Sequence, residues 1–521
     1  MKVTIYDTTL RDGTQGEGMS LSLDDKLKLA KRLDQFGVHY IEGGWPGSNP
    51  KDMEFFKRVK KLNLKHAKVA AFGSTRRAHI KVTQDENLAK ILETETKVAT
   101  IFGKTWDFHV KEVLKTTPKE NLNMIQESVA YLKSKGLEVI YDAEHFFDGY
   151  KANPKYALET LKAAEKGGAG HLVLCDTNGG TLPTEVVQII TKIRKEIKTP
   201  LGIHCHNDCN LGVANSVAAI QHGAVQVQGT INGYGERCGN ANLTSVIPVL
   251  VLKLRIPVIP QKKLKELTEL SRYVTEVCNM PLERNQPFVG KSAFAHKGGV
   301  HVNAMVKNKR TYEHIDPALV GNATRFLVSE LSGKSNVLIK AKELSLNLDS
   351  ETPETRKILE KVRELENQGY QFEAAEASFE LLMRRVAGKE KKFFELIEAH
   401  VHDELIGDGK VTSNATVKLR VDGQVEHVAA EGEGPVNALD KALRKALVKF
   451  YPVIKKTHLI DFKVRVVNES RGTAGRVRVF ITFQDEKDTW TTVGVSENII
   501  EASWQALTEA IEYKLLKGEK I

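Results

Sequence analysis

A regular alternation of β-rich and helical segments runs through the first half of the chain and most constrains its fold. Runs of β-branched and aromatic residues predict strands at 3–6, 40–43, 68–72, 97–102, 138–141, 171–175, 201–204 and 225–231. Amphipathic stretches predict helices between them, at 23–36, 52–62, 119–135, 154–166, 183–197 and 211–222. A doubly wound sheet shows the same alternation, but about eight evenly spaced strand–helix units in roughly 255 residues match a (β/α)8 TIM barrel. The sequence therefore predicts an α/β fold built on that barrel.

The alternation ends near residue 255, and two other patterns follow. Helical periodicity at 264–277, 354–365 and 371–385 predicts a helical extension. Beyond it, two stretches with period-two alternation each precede an amphipathic helix, at 436–450 and 499–515, which predicts an α+β domain of two βββα-like units. That domain has no cluster of catalytic residue types, which indicates a regulatory or dimerising role. We therefore expect three domains: a TIM-barrel catalytic domain at 1–260, helical linker subdomains over the active site at 261–400, and a C-terminal regulatory and dimerisation domain at 401–521.

Composition argues against several classes of protein. The apolar stretches are too short to span a membrane, so we expect no membrane partner. An odd number of cysteines, five, does not make a disulfide framework, which predicts a cytoplasmic protein. The net charge of +10 permits a polyanionic partner, but the lysines are scattered among acidic residues. Since no nucleic-acid motif is present, we expect no nucleic acid partner.

Polar and ionisable residues follow nearly every predicted strand, at the end where TIM barrels hold their sites. His204 and His206 alternate with Cys205, so both imidazoles face the same side of one strand. Asp12 follows the first strand and Asn240 follows the eighth, and strands one, seven and eight are neighbours in a closed barrel. We therefore expect these four polar groups to converge. Such a nitrogen and oxygen set suits Mn²⁺, Mg²⁺, Zn²⁺ or Co²⁺ and leaves positions for a chelating substrate.

Two alternatives to this metal site stay open. The pair can be two unrelated histidines near a strand end. A zinc set of Cys205, His206 and Cys209 would need ligands from opposite faces of the strand, so Cys205 fits better against the outer helices.

Several dispersed motifs resemble one known family. TTLRDGTQ at 8–15, the His204-x-His206 pair and GERCGNANL at 235–243 resemble the superfamily of barrel synthases and lyases. Its members include isopropylmalate, homocitrate and citramalate synthases and hydroxymethylglutaryl-CoA lyase. The resemblance covers the whole chain, and the lyases and homocitrate synthases generally lack the C-terminal module. EGGWPGSNP at 42–50 and DAEHFFDGY at 142–150 are similar to the long-form citramalate branch of the family.

The resemblance implies an acyltransferase that condenses acetyl-CoA with an α-keto acid and then hydrolyses the thioester. The keto acid would chelate a metal held by Asp12, His204 and His206, with Asn240 as a fourth candidate. Arg11 would stabilise the charge that develops on the ketone oxygen. Alternatively, Arg11 only neutralises Asp12.

Further catalytic and substrate-binding roles follow from the same resemblance. Thr177 would bind the substrate carboxylate, or merely cap its loop, and Glu144 stands where the family uses a catalytic carboxylate beside the keto acid. GVHVNA at 299–304 and YEHIDP at 312–317 match the family pattern for proton transfer. They nominate His301 and Tyr312, often supplied by the partner subunit, whereas His296 and His314 fit structural roles.

The choice of keto acid depends on two residues. Phe102, at the end of the fourth predicted strand, is bulky enough to shorten the pocket. Asp142 stands where isopropylmalate synthases usually carry a serine. Both favour pyruvate, with citramalate as product, over the alternative substrate ketoisovalerate, which gives isopropylmalate. A lyase shares the metal chemistry, but the C-terminal module argues against it.

The resemblance also implies regulation by a pathway end product. For the citramalate branch that product is isoleucine, bound by paired C-terminal modules of a homodimer. The loops at 432–437 and 494–498 are the candidates for its site. The alternative is a module that only dimerises.

Overall fold

The structure is a computed structural model, and it describes residues 2–327, 337, 338, 340, 341, 352–405, 411–467, 475–486 and 488–518. The chain divides into two compact units. The first combines Met1–Phe294 with Glu313–Thr324, and the second combines Ala295–Tyr312 with Arg325–Ile521. The three-domain division at residues 260 and 400 stays a prediction. None of the described helices is long and apolar enough to cross a membrane.

Eight parallel strands form a closed barrel in the first unit and confirm the predicted TIM-barrel fold. The strands follow chain order, and the first pairs with both the second and the eighth. They are β1 (Thr4–Asp7), β2 (Tyr40–Gly44), β3 (Lys68–Ser74), β4 (Val98–Lys104), β5 (Glu138–Glu144), β6 (His171–Asp176), β7 (Leu201–Cys205) and β8 (Gln226–Gly229).

Helices follow the strands and cover the outside of the barrel. They are α1 (Leu23–Phe36), α2 (Pro50–Val59), α3 (Glu86–Glu93), α4 (Asp107–Glu112), α5 (Pro118–Ser134), α6 (Phe146–Ala152), α7 (Pro154–Gly167), α8 (Pro183–Glu196), α9 (Gly212–Gln221), α10 (Leu243–Pro248), α11 (Gln261–Leu264) and α12 (Leu267–Val277). Local sequence fixes their ends. Ser22 caps α1 through a capping box with Asp25, and Gly37 ends it with a φ of 104°, a left-handed conformation that glycine adopts without strain.

Alternation along the strands separates two cores. Residues that point into the barrel form a small hydrophobic cluster of their own, in which Tyr6 stacks on Tyr40 at a ring-centroid distance of 5.7 Å. Residues that point outwards pack against the helices, and buried Cys205 is among them, as the strand pattern predicts.

The second unit contains a short helical region and two similar modules. Its first part comprises β9 (Ala295–His296), α13 (Gly299–Lys307), β10 (Arg325–Phe326), α14 (Pro353–Asn367) and α15 (Glu376–Val386). Two antiparallel three-stranded sheets follow, each completed by a helix. They are β11 (Glu395–Leu405), β12 (Val411–Val421), β13 (Gln424–Gly432) and α16 (Pro435–Leu447), then β14 (His458–Val466), β15 (Val477–Gln484), β16 (Thr489–Ser496) and α17 (Ile499–Gly518). The prediction of two βββα units is confirmed.

Candidate active site

An open cavity lies at the carboxyl ends of the barrel strands, where the sequence predicts the site, and its volume is about 650 Å³ including the open space at its mouth. It contains every barrel residue nominated from the sequence except Asn240. Its lining comprises Arg11, Asp12, Gln15, Trp45, Phe72, Phe102, Asp142, Glu144, Cys175, Thr177, His204, His206 and Glu236.

Asp12, His204 and His206 form a buried cluster in this cavity. Oδ2 of Asp12 lies 3.6 Å from Nε2 of His204 and 3.9 Å from Nε2 of His206. One ligand atom from each residue lies within 4.8 Å of the other two. The three side chains can therefore coordinate one ion together, as the strand order predicts.

Asn240 lies beside this cluster and can contribute a further metal ligand. Its Nδ2 donates hydrogen bonds to Oδ1 of Asp12 at 3.0 Å and to the carbonyl oxygen of Tyr234 at 3.2 Å. Its Oδ1 is buried and has no hydrogen-bond partner among the described residues. Because a buried amide oxygen without a partner is costly, this oxygen fits a fourth metal ligand.

The electrostatics of the cluster favour metal binding. Burial lowers the pKa of His204, and burial together with His204 lowers the pKa of His206 to about 4. Both imidazoles are therefore neutral near pH 7 and keep a lone pair for a metal. Burial acts to raise the pKa of Asp12, but Arg11 and the two histidines outweigh it and hold that pKa well below its usual range.

Gln228, on β8, orients His204. Its Oε1 lies 3.0 Å from Nδ1 of His204, and its Nε2 donates to Oδ1 of Asp142 at 2.9 Å. With the amide oriented this way, Nδ1 of His204 carries the proton and Nε2 presents its lone pair towards Asp12. Burial, reinforced by Glu42, raises the pKa of Asp142 to about 8. Gln228 was not predicted; its only signal in the sequence is that it is one of two glutamines that alternate with Val227 in the eighth strand.

Arg11 is held between two carboxylates and an aromatic ring. Its Nε donates to Oε2 of Glu42 at 2.6 Å, and its NH1 donates to Oδ2 of Asp12 at 3.1 Å. Its guanidinium carbon lies 3.8 Å from the ring centroid of Phe72. Burial acts to lower the pKa of Arg11, but Glu42 and Asp12 raise it above its ordinary value. Arg11 therefore stays charged in a fixed orientation at the cavity.

Glu42 is a functional residue that the sequence placed at a strand end without giving it a role. It is completely buried. Besides Arg11, it accepts hydrogen bonds from the hydroxyl of Tyr6, at 2.7 Å, and from that of Thr8. Glu42 thus ties Arg11 to the strands of the barrel.

Three aromatic side chains form a wall of the same cavity. Phe72 and Phe102 stack at 5.5 Å between ring centroids, and the indole of Trp45 meets each of them edge-on at 5.7 Å. Phe102 lines the cavity as expected, although β4 continues beyond it to Lys104 rather than ending there. Phe72 and Trp45 were not predicted.

Glu144 and Thr177 complete the polar side of the cavity. Lys104 forms an ion pair with Oε2 of Glu144. The backbone N–H of His145 donates to Oγ1 of Thr177 at 2.9 Å. In this bond Thr177 Oγ1 is the acceptor, so its hydroxyl can still donate its own hydrogen to a ligand in the cavity.

His301 and Tyr312 lie in the second unit, where they stack on each other. Their ring centroids are 4.2 Å apart, and both side chains are exposed. His314 lies in the first unit between the rings of Phe288 and Phe294, at 5.4 and 6.1 Å. That packing suits the structural role expected of His314.

Three family models match successive parts of the chain. They are HMGL-like at residues 2–274, Homocitrate synthase post-HMGL domain-like at 288–370, and LeuA allosteric (dimerisation) domain at 373–515. With the closed barrel and its Asp-His-His cluster, these matches define a condensing enzyme of the HMGL-like class.

Relatives that match over nearly their whole length show which family of this class the chain belongs to. The (R)-citramalate synthases of Geobacter sulfurreducens and Aquifex aeolicus are each 58% identical to this chain. Both matches cover 100% of this chain, and 98% and 99% of those proteins. A 2-isopropylmalate synthase of Methanocaldococcus jannaschii is 32% identical over 100% of this chain and 96% of its own length. The chain belongs to the (R)-citramalate synthase family, which confirms the family predicted from its motifs.

Proposed function

We propose that this chain is an (R)-citramalate synthase of isoleucine biosynthesis. It joins acetyl-CoA to pyruvate and hydrolyses the thioester, giving citramalate and CoA. The observation that carries the proposal is the Asp12, His204 and His206 cluster, which shares one cavity with Arg11 and an aromatic wall. The 58% identity to the two citramalate synthases, against 32% to the 2-isopropylmalate synthase, supports pyruvate over ketoisovalerate.

Asp12, His204, His206 and Asn240 would hold a divalent ion, which is Mn²⁺, Mg²⁺, Zn²⁺ or Co²⁺. Two neutral imidazoles, an ionised carboxylate and a buried amide oxygen without a partner among the described residues support this ligand set. When bound, the ion supplies Lewis acidity to the carbonyl of a chelated keto acid.

Arg11 and Thr177 would orient the pyruvate. The guanidinium of Arg11 stabilises the negative charge on the keto oxygen, because Glu42 and Asp12 keep it charged and fixed. The hydroxyl of Thr177 donates to the carboxylate of pyruvate. The buried, largely neutral carboxyl group of Asp142 adds little negative charge to repel that carboxylate near pH 7.

His301 would take a proton from the methyl group of acetyl-CoA, with Tyr312 stacked on its ring. The resulting carbanion forms the carbon–carbon bond to the keto carbon, and the keto oxygen takes up the electron pair beside Arg11. That oxygen is then protonated, and water adds to the thioester carbonyl, so that the C–S bond breaks and CoA leaves as the free thiol. Glu144 would be the catalytic carboxylate beside the keto acid, held there by its ion pair with Lys104.

We further propose that the protein is a homodimer held by its C-terminal modules. Phe462 and Val464 of β14 lie opposite Ile481 and Val479 in the sheet register, on the face that α17 covers. Their partners are completely buried, whereas Phe462 is 37% and Val464 40% exposed. Because the described residues leave this part of the core face uncovered, a second module would complete it. The LeuA allosteric (dimerisation) match supports this assembly.

Isoleucine would act as feedback inhibitor through the paired modules. The loops at 432–437 and 494–498 each join the last strand of a module to its helix.

All five cysteines are free, which supports a reducing, cytoplasmic location.

A panel of keto acids with acetyl-CoA tests the proposal, with release of free CoA thiol as the readout. Pyruvate should give the highest kcat/KM, citramalate should form, and isoleucine should lower the rate. A higher kcat/KM for ketoisovalerate would reject the assignment, and an isoleucine-insensitive enzyme would reject the regulatory part alone.

A further inference from the structure

A chain of hydrogen bonds behind the aromatic wall leads to Asn87, a residue of α3 that does not line the cavity of the candidate active site. Oδ1 of Asn87 accepts a hydrogen bond from the indole Nε1 of Trp45 at 2.7 Å. Its Nδ2 donates to the carbonyl oxygen of Ser74, the last residue of β3, at 2.7 Å. The carboxamide of Asn87 therefore joins the indole of the wall to the end of a barrel strand.

Two glycines make room for this hydrogen bond. A Cβ atom at Gly73, on β3, would lie 3.0 Å from Oδ1 and 3.2 Å from Nδ2 of Asn87. A Cβ atom at Gly47 would lie 3.4 Å from Nε1 of Trp45 and 3.5 Å from Oδ1 of Asn87. Because both residues lack a side chain, the backbone packs closely on the contact between the carboxamide and the indole.

The backbone of Trp45 is held by a different contact. Its N–H donates to Oδ2 of Asp52 at 2.9 Å. Asp52, which is 6% exposed, forms an ion pair with Lys26, which is 2% exposed. Nζ of Lys26 also donates to the carbonyl oxygen of Gly43 at 3.0 Å. Because these contacts hold the backbone, the torsions of the Trp45 side chain are the freedom that remains, and Asn87 acts on them.

The orientation of this indole shapes the cavity. Trp45 meets Phe72 and Phe102 edge-on, at 5.7 Å between ring centroids, and all three line the cavity. An N–H group without an acceptor is costly away from water, so loss of Asn87 would release the ring from this orientation. A turned indole would break both edge-on contacts and change the space beside Phe102, the residue expected to shorten the keto-acid pocket.

We propose that Asn87 is a positioning residue that fixes the indole of Trp45 and thereby limits the size of the keto acid that the cavity accepts. Asn87 does not line the cavity and acts through the ring alone. This inference rests on the proposed function, in which a keto acid binds beside the aromatic wall. It adds to that function a determinant of specificity on a helix outside the barrel.

Kinetics with keto acids of increasing size test the specificity. Asn87→Leu keeps a branched side chain without polar atoms. It should raise the ratio of kcat/KM for ketoisovalerate to that for pyruvate about fivefold, whereas the KM for acetyl-CoA should change little. Lys90→Leu, at an exposed position of α3, should keep the wild-type ratio. In the background of Trp45→Phe, which lacks the indole N–H, Asn87→Leu should change the ratio no further.

Fluorine NMR of protein labelled with 5-fluorotryptophan tests the positioning itself. Trp45→Phe identifies the resonance of Trp45 by its loss. Asn87→Leu should shift or broaden this resonance, because the ring loses its fixed orientation, and Lys90→Leu should leave it in place. This readout needs no substrate and does not depend on the reaction.

The two readouts separate the failure of this inference from the failure of the proposed function. An unchanged resonance of Trp45 in Asn87→Leu overturns the inference, and so does a wild-type ratio of the two kcat/KM values. A fivefold change in the Trp45→Phe background also overturns it, because Asn87 would then not act through the indole. A wild type that uses neither keto acid rejects the proposed function, and with it the effect on specificity, whereas the resonance still shows whether Asn87 fixes the ring.

Thermal unfolding of each variant identifies a folding defect. Should Asn87→Leu misfold, Asn87→Ser takes its place, because the shorter serine side chain does not reach the indole and should give the same change in ratio and resonance.

Discussion

The side-chain oxygen of Gln228 lies 3.0 Å from Nδ1 of His204, one strand away on the barrel wall. This contact fixes which nitrogen of the imidazole is free for a metal, and Gln228 is itself held by Asp142. Gln228 and Asp142, which are not among the proposed metal ligands, thus determine how the imidazole of His204 is oriented.

Replacing Gln228 should weaken metal binding. Gln228→Leu removes the acceptor for Nδ1, so His204 loses its fixed tautomer, and Mn²⁺ affinity should fall about tenfold to a hundredfold. Electron paramagnetic resonance of free Mn²⁺ during titration of metal-free protein measures this directly. Gln188→Leu, on the outer helix α8, is the control. Unchanged affinity in Gln228→Leu would show that the contact has no such role.

Shortening Phe102 should change substrate preference. Phe102→Ala opens space beside Phe72 and Trp45 in the aromatic wall. The ratio of kcat/KM for ketoisovalerate to that for pyruvate should rise about tenfold, the effect of a few methylene groups in such a pocket. Phe108→Ala, at a ring that is 52% exposed and absent from the cavity lining, should leave the ratio unchanged. An equal response of the two variants would contradict this.

Removing the imidazole of His301 should impair proton transfer. His301→Asn should lower kcat by about a hundredfold or more while the KM for pyruvate changes little, because the proposed role of His301 is to take a proton from acetyl-CoA. Exchange of deuterium from solvent into acetyl-CoA should fall in parallel. His400→Asn, whose side chain is 73% exposed on β11, is the control. A full exchange rate in His301→Asn would assign the base elsewhere.

A charge on the uncovered face of β14 should dissociate the proposed homodimer. Phe462→Glu places a carboxylate in the proposed interface, where its desolvation costs several kcal/mol. Sedimentation equilibrium should show a lower mass at micromolar concentration. Lys463→Glu introduces a carboxylate at the adjacent position, on the opposite face of the strand. Dimers that persist in Phe462→Glu and fail in Lys463→Glu would place the interface on the other face.

Glu509 should make stability depend on pH. Burial raises its pKa from the ordinary 4.5 to about 7 in the folded protein. Between these two pH values the carboxyl is therefore protonated in the folded protein and ionised in the unfolded chain. The contribution of Glu509 to the free energy of unfolding therefore falls as the pH rises from the unfolded pKa to the folded pKa of about 7, and it is constant at higher pH. Between about pH 5.5 and about pH 8.5, Glu509→Gln should gain about 2 kcal/mol relative to wild type.

Chemical denaturation at both pH values measures the gain. Glu501→Gln should show no such difference, because its side chain is exposed and hydrogen-bonded to Ser496. A wild-type curve parallel to that of Glu509→Gln would mean that Glu509 titrates normally.

Much of the site follows from alternation and strand order alone. A period-two strand puts His204 and His206 on one face, and closure of the barrel brings Asp12 and Asn240 to them. Gln228 could not be found this way, because its role depends on the register that sets it opposite His204. Glu42 was visible at a strand end, but its function needed the position of the Arg11 side chain.

The C-terminal modules show a different limit. The alternation of Ile460, Phe462, Val464 and Val466 predicts a buried strand face, yet all four side chains are at least 37% exposed. The reason is the placement of α17, which packs on β15 and β16 and leaves β14 at the edge of the sheet. Sequence periodicity identifies a face that must be covered, and it does not identify the covering element.

In the proposed homodimer, the uncovered face of β14 would make the folding of each module depend on protein concentration. If a second copy supplies the missing half of the hydrophobic layer, mass action requires the melting temperature to rise as the protein is concentrated. Newly made chains would expose the apolar face of the edge strand β14, a site of aggregation, until they bind a partner. Expression level would then set how much of the protein is properly assembled.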